Sequence, residues 1–290
     1  MDVSPTNSGS SSLWSAARQQ DRRVQDVFSA VLATVGRQGY ASASPLENDV
    51  PLGDSIKSAW SDWFHSEIPG RYATESAADR QRLEQGYEAI LARAYSEGGY
   101  AHPQDFLRGL SRDELKVVQN VQHLAAPIQI DPLSEEGALN LLLPPAAQVD
   151  LNNDGVTQTG VGSGLRFPSS NTPPDVVAAW EQATAGLSPG DRMMYELQMV
   201  LPVLLANIHA DEHGAFSYRV EPGDPRFVNP MADPAYSYVE AAQAQLDHLK
   251  FALSQGTLSP AEYERRTGFW SSFQQALAAD GENLADEANQ

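Results

Sequence analysis

Oxygen-bearing side chains recur at every second residue in the segment DLNNDG, which spans residues 150–155. Asp150, Asn152 and Asp154 alternate with other residues, and Gly155 ends the segment. In a tight loop alternate side chains point inward, and carboxylate and amide oxygens are the ligands that a hard cation such as Ca²⁺ prefers. Glycine permits the sharp turn, and the residue after it can offer its backbone carbonyl. The spacing therefore indicates a calcium-binding loop.

The segment resembles the first half of the calcium loops of EF-hand and dockerin proteins, whose pattern is D-x-[DN]-x-[DN]-G. The resemblance implies four ligands for Ca²⁺, at loop positions 1, 3, 5 and 7: Asp150, Asn152, Asp154 and the backbone carbonyl of Val156. Position 12 is Val161, where an EF-hand has a bidentate glutamate, and no helix is predicted directly after the loop. A further ligand must come from another residue, and Gln158 at position 9, Asp175 and Glu181 are the candidates.

A tight polar turn is the competing interpretation of the same residues. Asn, Asp and Gly all tolerate positive φ, and Asp-Gly is a favoured hairpin dipeptide, which accounts for residues 153–155. The turn interpretation does not explain why Asp150 and Asn152 also stand at alternate positions. A loop with two acids and one amide is also expected to bind calcium more weakly than a loop with four acids.

The segment HADEH at 209–213 has the letters of the HxxEH zinc-peptidase motif. On a helix His209 and His213 would lie one turn apart and bind Zn²⁺, with Glu212 activating a water molecule. The motif falls at the end of a predicted helix, because Gly214 follows at once, and no third ligand is assigned. The two histidines also suit the negative end of that helix, where cations are favourable. A zinc-dependent hydrolase is therefore the alternative function.

Composition excludes several classes of protein. Asp and Glu number 38 against 19 Lys and Arg, for a formal net charge of −19. The electrostatic field of this negative charge repels nucleic acid and anionic lipid, so we expect another protein as the partner. The absence of cysteine excludes disulfides, thiol nucleophiles and cysteine-ligated metals. Only three of the basic residues are lysine, which together with abundant alanine suggests a GC-rich bacterial genome.

Neither a signal peptide nor a membrane segment is predicted. The N-terminus lacks a basic region followed by an apolar one, and the longest apolar run, 199–208, is half of the roughly 20 residues that a membrane helix needs. We therefore expect no membrane insertion. The protein is expected in the cytoplasm, or outside the cell after export without a cleaved signal peptide.

Helical periodicity and helix caps dominate the rest of the chain. Ser111 and Glu114 form a capping box, and the aromatic residues of 56–64 are expected in the core. A helix over 188–208 is predicted to be fully buried and kinked by Pro202. Helices are also predicted to begin at Thr172 and at Asp233-Pro234, the second pairing with a helix that begins at Ser259. Strand signals are short and few: 126–130, 148–151, 165–167 and 215–220.

These signals predict an all-α, multi-helix bundle with a long central loop rich in Gly, Asn and Pro and at most minor β pieces. The predicted divisions are a disordered tail (1–12), an N-terminal helical part (13–143), the central loop with the calcium site (144–172), a C-terminal helical part (173–280) and an acidic tail (281–290). The expected function is that of a calcium-binding helical protein with a structural or protein-interaction role, not a catalytic one.

Overall fold

A computed structural model describes residues 8–46 and 50–287, with side chains for 16–46 and 50–279. Ten α-helices dominate this part of the chain, accompanied by two short two-stranded sheets, which confirms the predicted helical fold. The chain divides into two compact units. The first comprises residues up to 152 with 156–165 and 169–171, and the second comprises 153–155, 166–168 and the residues from 172 onward.

The first unit contains six helices and one sheet. The helices are α1 (Ser8–Thr34), α2 (Leu52–Glu67), α3 (Ala77–Ser96), α4 (Pro103–Arg108), α5 (Arg112–Val121) and α6 (Glu135–Leu141). Strands β1 (Thr157–Thr159) and β2 (Gly162–Gly164) are antiparallel, and Thr157 pairs with Gly164.

The predicted N-terminal tail falls partly within α1. Residues 1–7 lie outside the described residues, whereas residues 8–12 form the first turns of the helix. The segment AARQQDRR at 16–23 is rich in strong helix formers, which favours a helix on the N-terminal side of the buried apolar residues that begin at Val24.

Aromatic side chains fill the core of this unit. Trp60, Trp63 and Phe64 of α2 are buried, as predicted, and the rings of Trp60 and Tyr87 lie 4.8 Å apart. The hydroxyl of Tyr87 lies within hydrogen-bonding distance of the carbonyls of Leu141 and Leu143, at 3.0 and 2.9 Å. Burial raises the pKa of Tyr87 well above its ordinary value. The core thus holds the end of α6, the helix against which the candidate loop packs.

The capping box is present at the start of α5. The hydroxyl of Ser111 accepts from the backbone N–H of Glu114, and the carboxylate of Glu114 accepts from the N–H of Ser111 at 2.7 Å. The hydrogen bond from the Ser111 backbone is the main reason that the pKa of Glu114 lies below its usual value. This prediction is confirmed because both partners are local in sequence.

The second unit contains four helices and one hairpin. The helices are α7 (Pro174–Thr184), α8 (Pro189–Ala206), α9 (Tyr238–Ser254) and α10 (Pro260–Glu287). Strands β3 (Ile208–Ala210) and β4 (Phe216–Arg219) are antiparallel. Helices α9 and α10 pack together, as predicted. Residues 281–287 of the predicted acidic tail continue α10, and 288–290 lie outside the described residues.

The core of this unit is built around Trp180. This buried ring meets three phenylalanines edge to face, at centroid distances of 4.8 to 5.6 Å: Phe167, Phe269 and Phe273.

Helix α8 is not fully buried, so that prediction is wrong. Its buried side chains are Tyr195, Met199, Val200 and Val203, whereas four other large apolar side chains are exposed: Met193, Leu197, Leu201 and Leu205. The helix packs by one face only. A helix that is apolar all round carries no signal of which face is covered.

Several predicted boundaries also differ from the structure. The N-cap of α7 is Pro173 rather than Thr172, and α9 begins after Ser237, whose hydroxyl accepts from the N–H of Glu240, rather than at Asp233. Of the four predicted strand pieces only 215–220 contains a strand, and β1 and β2 lie at 157–164, between the predicted pieces 148–151 and 165–167.

Gly137 is required where α6 meets the turn between β1 and β2. A Cβ at Gly137 would collide with the carbonyl oxygen of Gly160, whose N–H donates to the carbonyl of Gly137 at 2.9 Å. We expect Gly137→Ala to lower the free energy of unfolding by about 2 kcal/mol, since the backbone must shift to relieve the overlap. Chemical denaturation measures this loss. Gly53→Ala in α2 is the control and should be neutral or stabilising, since its Cβ meets only ordinary contacts.

Candidate metal centre

Helix α6 holds the segment 149–160 through the carboxylate of Glu136. This side chain is buried, and its two oxygens accept hydrogen bonds from the N–H of Leu151 at 2.9 Å and of Gln158 at 2.7 Å. The two N–H groups belong to positions 2 and 9 of the candidate loop. One carboxylate therefore ties the beginning of the loop to its end.

Asn140, one turn further along α6, makes a second connection between the same two ends. Its buried side-chain amide donates to the carbonyls of Val149 and Gln158, at 2.8 and 2.6 Å, and accepts from the N–H of Val149 at 2.8 Å. Ser134, the N-cap of α6, adds a third contact by donating to the side-chain oxygen of Gln158. We call Ser134, Glu136 and Asn140 the α6 cradle.

The backbone of the loop curls where the calcium pattern requires it. Asn153 at position 4 has φ of +55° and Gly155 at position 6 has φ of +82°, so both adopt the left-handed conformation. Asparagine and glycine are the residues that adopt this conformation at the lowest cost. The bare turn that competes with the metal site would use the same two residues, so the backbone alone does not separate the two interpretations.

The predicted ligands differ in their exposure. Asp150 is only 3% exposed, and its backbone is held by Ser170 and Asn171: its N–H donates to the Ser170 hydroxyl at 3.0 Å and its carbonyl accepts from the Asn171 amide at 2.7 Å. Val156 is also buried, whereas Asn152 is exposed and Asp154 is partly exposed. Burying a carboxylate is costly unless it is hydrogen-bonded, paired or bound to a cation.

The side-chain oxygen of Gln158, the predicted ligand at position 9, accepts from Ser134, so this side chain is held against the start of α6. Asp175 and Glu181, the other candidate ligands, lie on α7. Within the described residues no three His, Asp or Glu side chains are grouped so that they could hold a metal ion. A cation in this loop would therefore depend on amide and backbone oxygens beside its two acids.

The histidine motif lies on the hairpin of β3 and β4 and not on a helix. His209 belongs to β3 and stacks on Tyr218 at 4.5 Å, whereas His213 and Glu212 lie in the exposed turn. The carboxylate of Asp211 accepts from the N–H groups of His213 and Ala215 and so fixes this turn. The one-turn helical spacing of the HxxEH motif is absent here, and His209 follows Asn207, the C-cap of α8, by two residues.

The α6 cradle was not recognised from the sequence. Its signal is a polar residue, Asn140, within the apolar run ALNLLL of 138–143, where a buried amide must find hydrogen-bond partners. Glu136 carries no comparable signal, since glutamate is common in the first turn of a helix.

Comparison of the chain with protein-family models, with curated proteins and with solved structures finds no match. A search of the described residues finds no helix with both the length and the apolar character that a membrane crossing needs.

Proposed function

We propose that this chain is a calcium-binding helical protein with a structural or protein-interaction role and no catalytic activity. The loop 150–158 takes the ion through Asp150, Asn152, Asp154, the carbonyl of Val156 and Gln158. The observation that carries the proposal is the burial of Asp150, the acid at loop position 1, in a segment whose oxygen-bearing side chains stand at positions 1, 3 and 5.

The α6 cradle supports this proposal because its hydrogen bonds hold both ends of the loop. A loop whose ends are already fixed loses less conformational entropy when it closes on an ion. This pre-organisation partly offsets the low charge of the ligand set. Calcium bound to the folded chain and not to the unfolded chain would stabilise the fold by about 2.7 kcal/mol at a free concentration 100 times Kd.

Of the two locations that the sequence leaves open, export fits this site better. Calcium sites of extracellular modules have Kd values on the order of 10⁻⁴ to 10⁻³ M, a range suited to a loop with only two acids. The high negative charge favours a cation as ligand and a protein as partner.

Calorimetric titration of EDTA-treated protein with calcium tests the proposal. We expect the wild type to bind one ion, and Asp150→Ala and Asp154→Ala each to lower the affinity by about 100-fold or more, since mutation of an outer-shell partner alone lowers metal affinity by about 10- to 100-fold. The melting temperature of the wild type should rise with calcium, and that of both variants should not.

Asp131→Ala is the matched control, since it removes one exposed carboxylate outside the loop and should leave the titration unchanged. A wild type that binds no calcium at millimolar concentration would make the loop a polar turn. Binding that survives both loop substitutions would place the ion elsewhere.

A further inference from the structure

Four exposed apolar side chains form a continuous ridge along α8. Met193, Leu197, Leu201 and Leu205 follow one another at intervals of four residues, and between 39% and 67% of each is exposed. Single exposed apolar residues are ordinary on protein surfaces, but a row on four successive turns is not.

The hairpin that follows α8 carries two more exposed apolar side chains on one face. Phe216 is the cross-strand partner of Ala210, which shares a face with Ile208, and Ile208 and Phe216 are 44% and 68% exposed. We call these two and the ridge together the α8 surface. At roughly 200 Å² for a large side chain, the α8 surface exposes on the order of 650 Å² of apolar area, more than the largest patch of most monomers.

We propose that the α8 surface binds the same surface of a second copy of this chain, with the two α8 helices antiparallel. The exposed area is close to the roughly 800 Å² that each partner contributes to a standard interface. A ridge of residues four apart can pack into the groove of a second helix, and the packing class with a crossing angle of about 20° keeps two antiparallel helices in contact along their length. Two antiparallel helices also place their opposite dipole ends side by side.

The charges at the two ends of the α8 surface complement each other in this arrangement. Residues 193–218 include no Lys or Arg, Arg219 at the end of β4 pairs with Glu221, and the hairpin turn carries the exposed acids Asp211 and Glu212. At the other end Arg265 is 58% exposed, and its guanidinium lies 3.9 Å from the Asp191 carboxylate. In a dimer with two-fold symmetry, the hairpin acids of each copy lie beside Arg265 of the other copy, so this contact occurs twice.

The oligomeric state of the full chain tests the proposal, and it does not depend on calcium binding. Sedimentation velocity over about 1 to 200 µM, at about 0.15 M salt to screen the net charge, should show a monomer and dimer in equilibrium. Leu197→Glu with Leu205→Glu should weaken the dimer by about 30-fold or more, the effect of losing central anchor residues. Circular dichroism and the calcium titration of this variant should match those of the wild type.

The control carries two substitutions of exposed apolar residues outside the α8 surface, Val161→Gln and Phe251→Gln, and should dimerise like the wild type. Glu212→Arg and Arg265→Glu should each weaken the dimer, and the two together in one chain should restore it. A wild type that is monomeric throughout would overturn the proposal and leave the surface to a different protein. Equal dimerisation of the double glutamate variant and the wild type would also overturn it, since the dimer would then use another face.

Discussion

Replacing Asn140 with Ala is expected to lower the free energy of unfolding by about 4 kcal/mol. The side chain makes three hydrogen bonds in a buried setting, two to the carbonyls of Val149 and Gln158 and one from the N–H of Val149. Each bond contributes about 1 kcal/mol, and each backbone group left buried without a partner adds to the loss. Alanine also leaves a cavity beside the apolar side chains of α6.

Chemical denaturation of the purified variant measures this loss, and hydrogen exchange of peptides covering 149–158 locates it. Asn140→Asp should lower the free energy of unfolding by a similar amount, because it removes both donated hydrogen bonds and buries a charge. Asn120→Ala, at an exposed asparagine of α5, is the control and should change stability by less than about 0.5 kcal/mol. A loss below about 1 kcal/mol for Asn140→Ala would mean that the loop is held without this side chain.

Features that depend on neighbours in sequence were predictable. The capping box of Ser111 and Glu114 is formed by residues three apart, so the residue types at this spacing are enough to predict it. The apolar spacing of α2 likewise predicts that Trp60 and Phe64 are buried, because residues four apart share one face of a helix. The positive φ of Asn153 and Gly155 follows from residue types that tolerate it.

Features that depend on distant residues were not predictable. Glu136 meets N–H groups 15 and 22 residues later, and no periodicity connects them. The exposure of Leu197 and Leu205 could not be read from α8 either, since its apolar residues surround the helix and the packing of its neighbours decides which are covered.

The placement of the HADEH residues on a hairpin has a physical reason. Asn207 ends α8, and Asp211 and Gly214, whose φ is +79°, turn the chain so that β3 and β4 can pair. The signal lay in Asp211 and Gly214, since Asp and Gly favour turns over helices.

Replacing Glu136 with Gln is expected to lower the free energy of unfolding by about 3 kcal/mol, since charge-assisted hydrogen bonds contribute about 1.5 to 3 kcal/mol each. The side chains of glutamate and glutamine have nearly the same shape, but glutamine has one oxygen where the carboxylate of glutamate has two. Its NH₂ group must face the N–H of Leu151 or that of Gln158, so a donor opposes a donor at one end of the loop.

The same substitution should weaken calcium binding by about tenfold, the lower end of the effect of losing an outer-shell partner, because a loop held at one end must lose more entropy when it closes. Calorimetric titration below the melting temperature of the variant measures this effect. Glu135→Gln, at the exposed neighbour that pairs with Arg37, removes the same charge from α6 and should leave the affinity unchanged. If Glu136→Gln is destabilised but binds calcium as tightly as the wild type, the cradle supports the fold without pre-organising the ion site. If both variants lose affinity equally, the effect is long-range charge rather than the position of the loop ends.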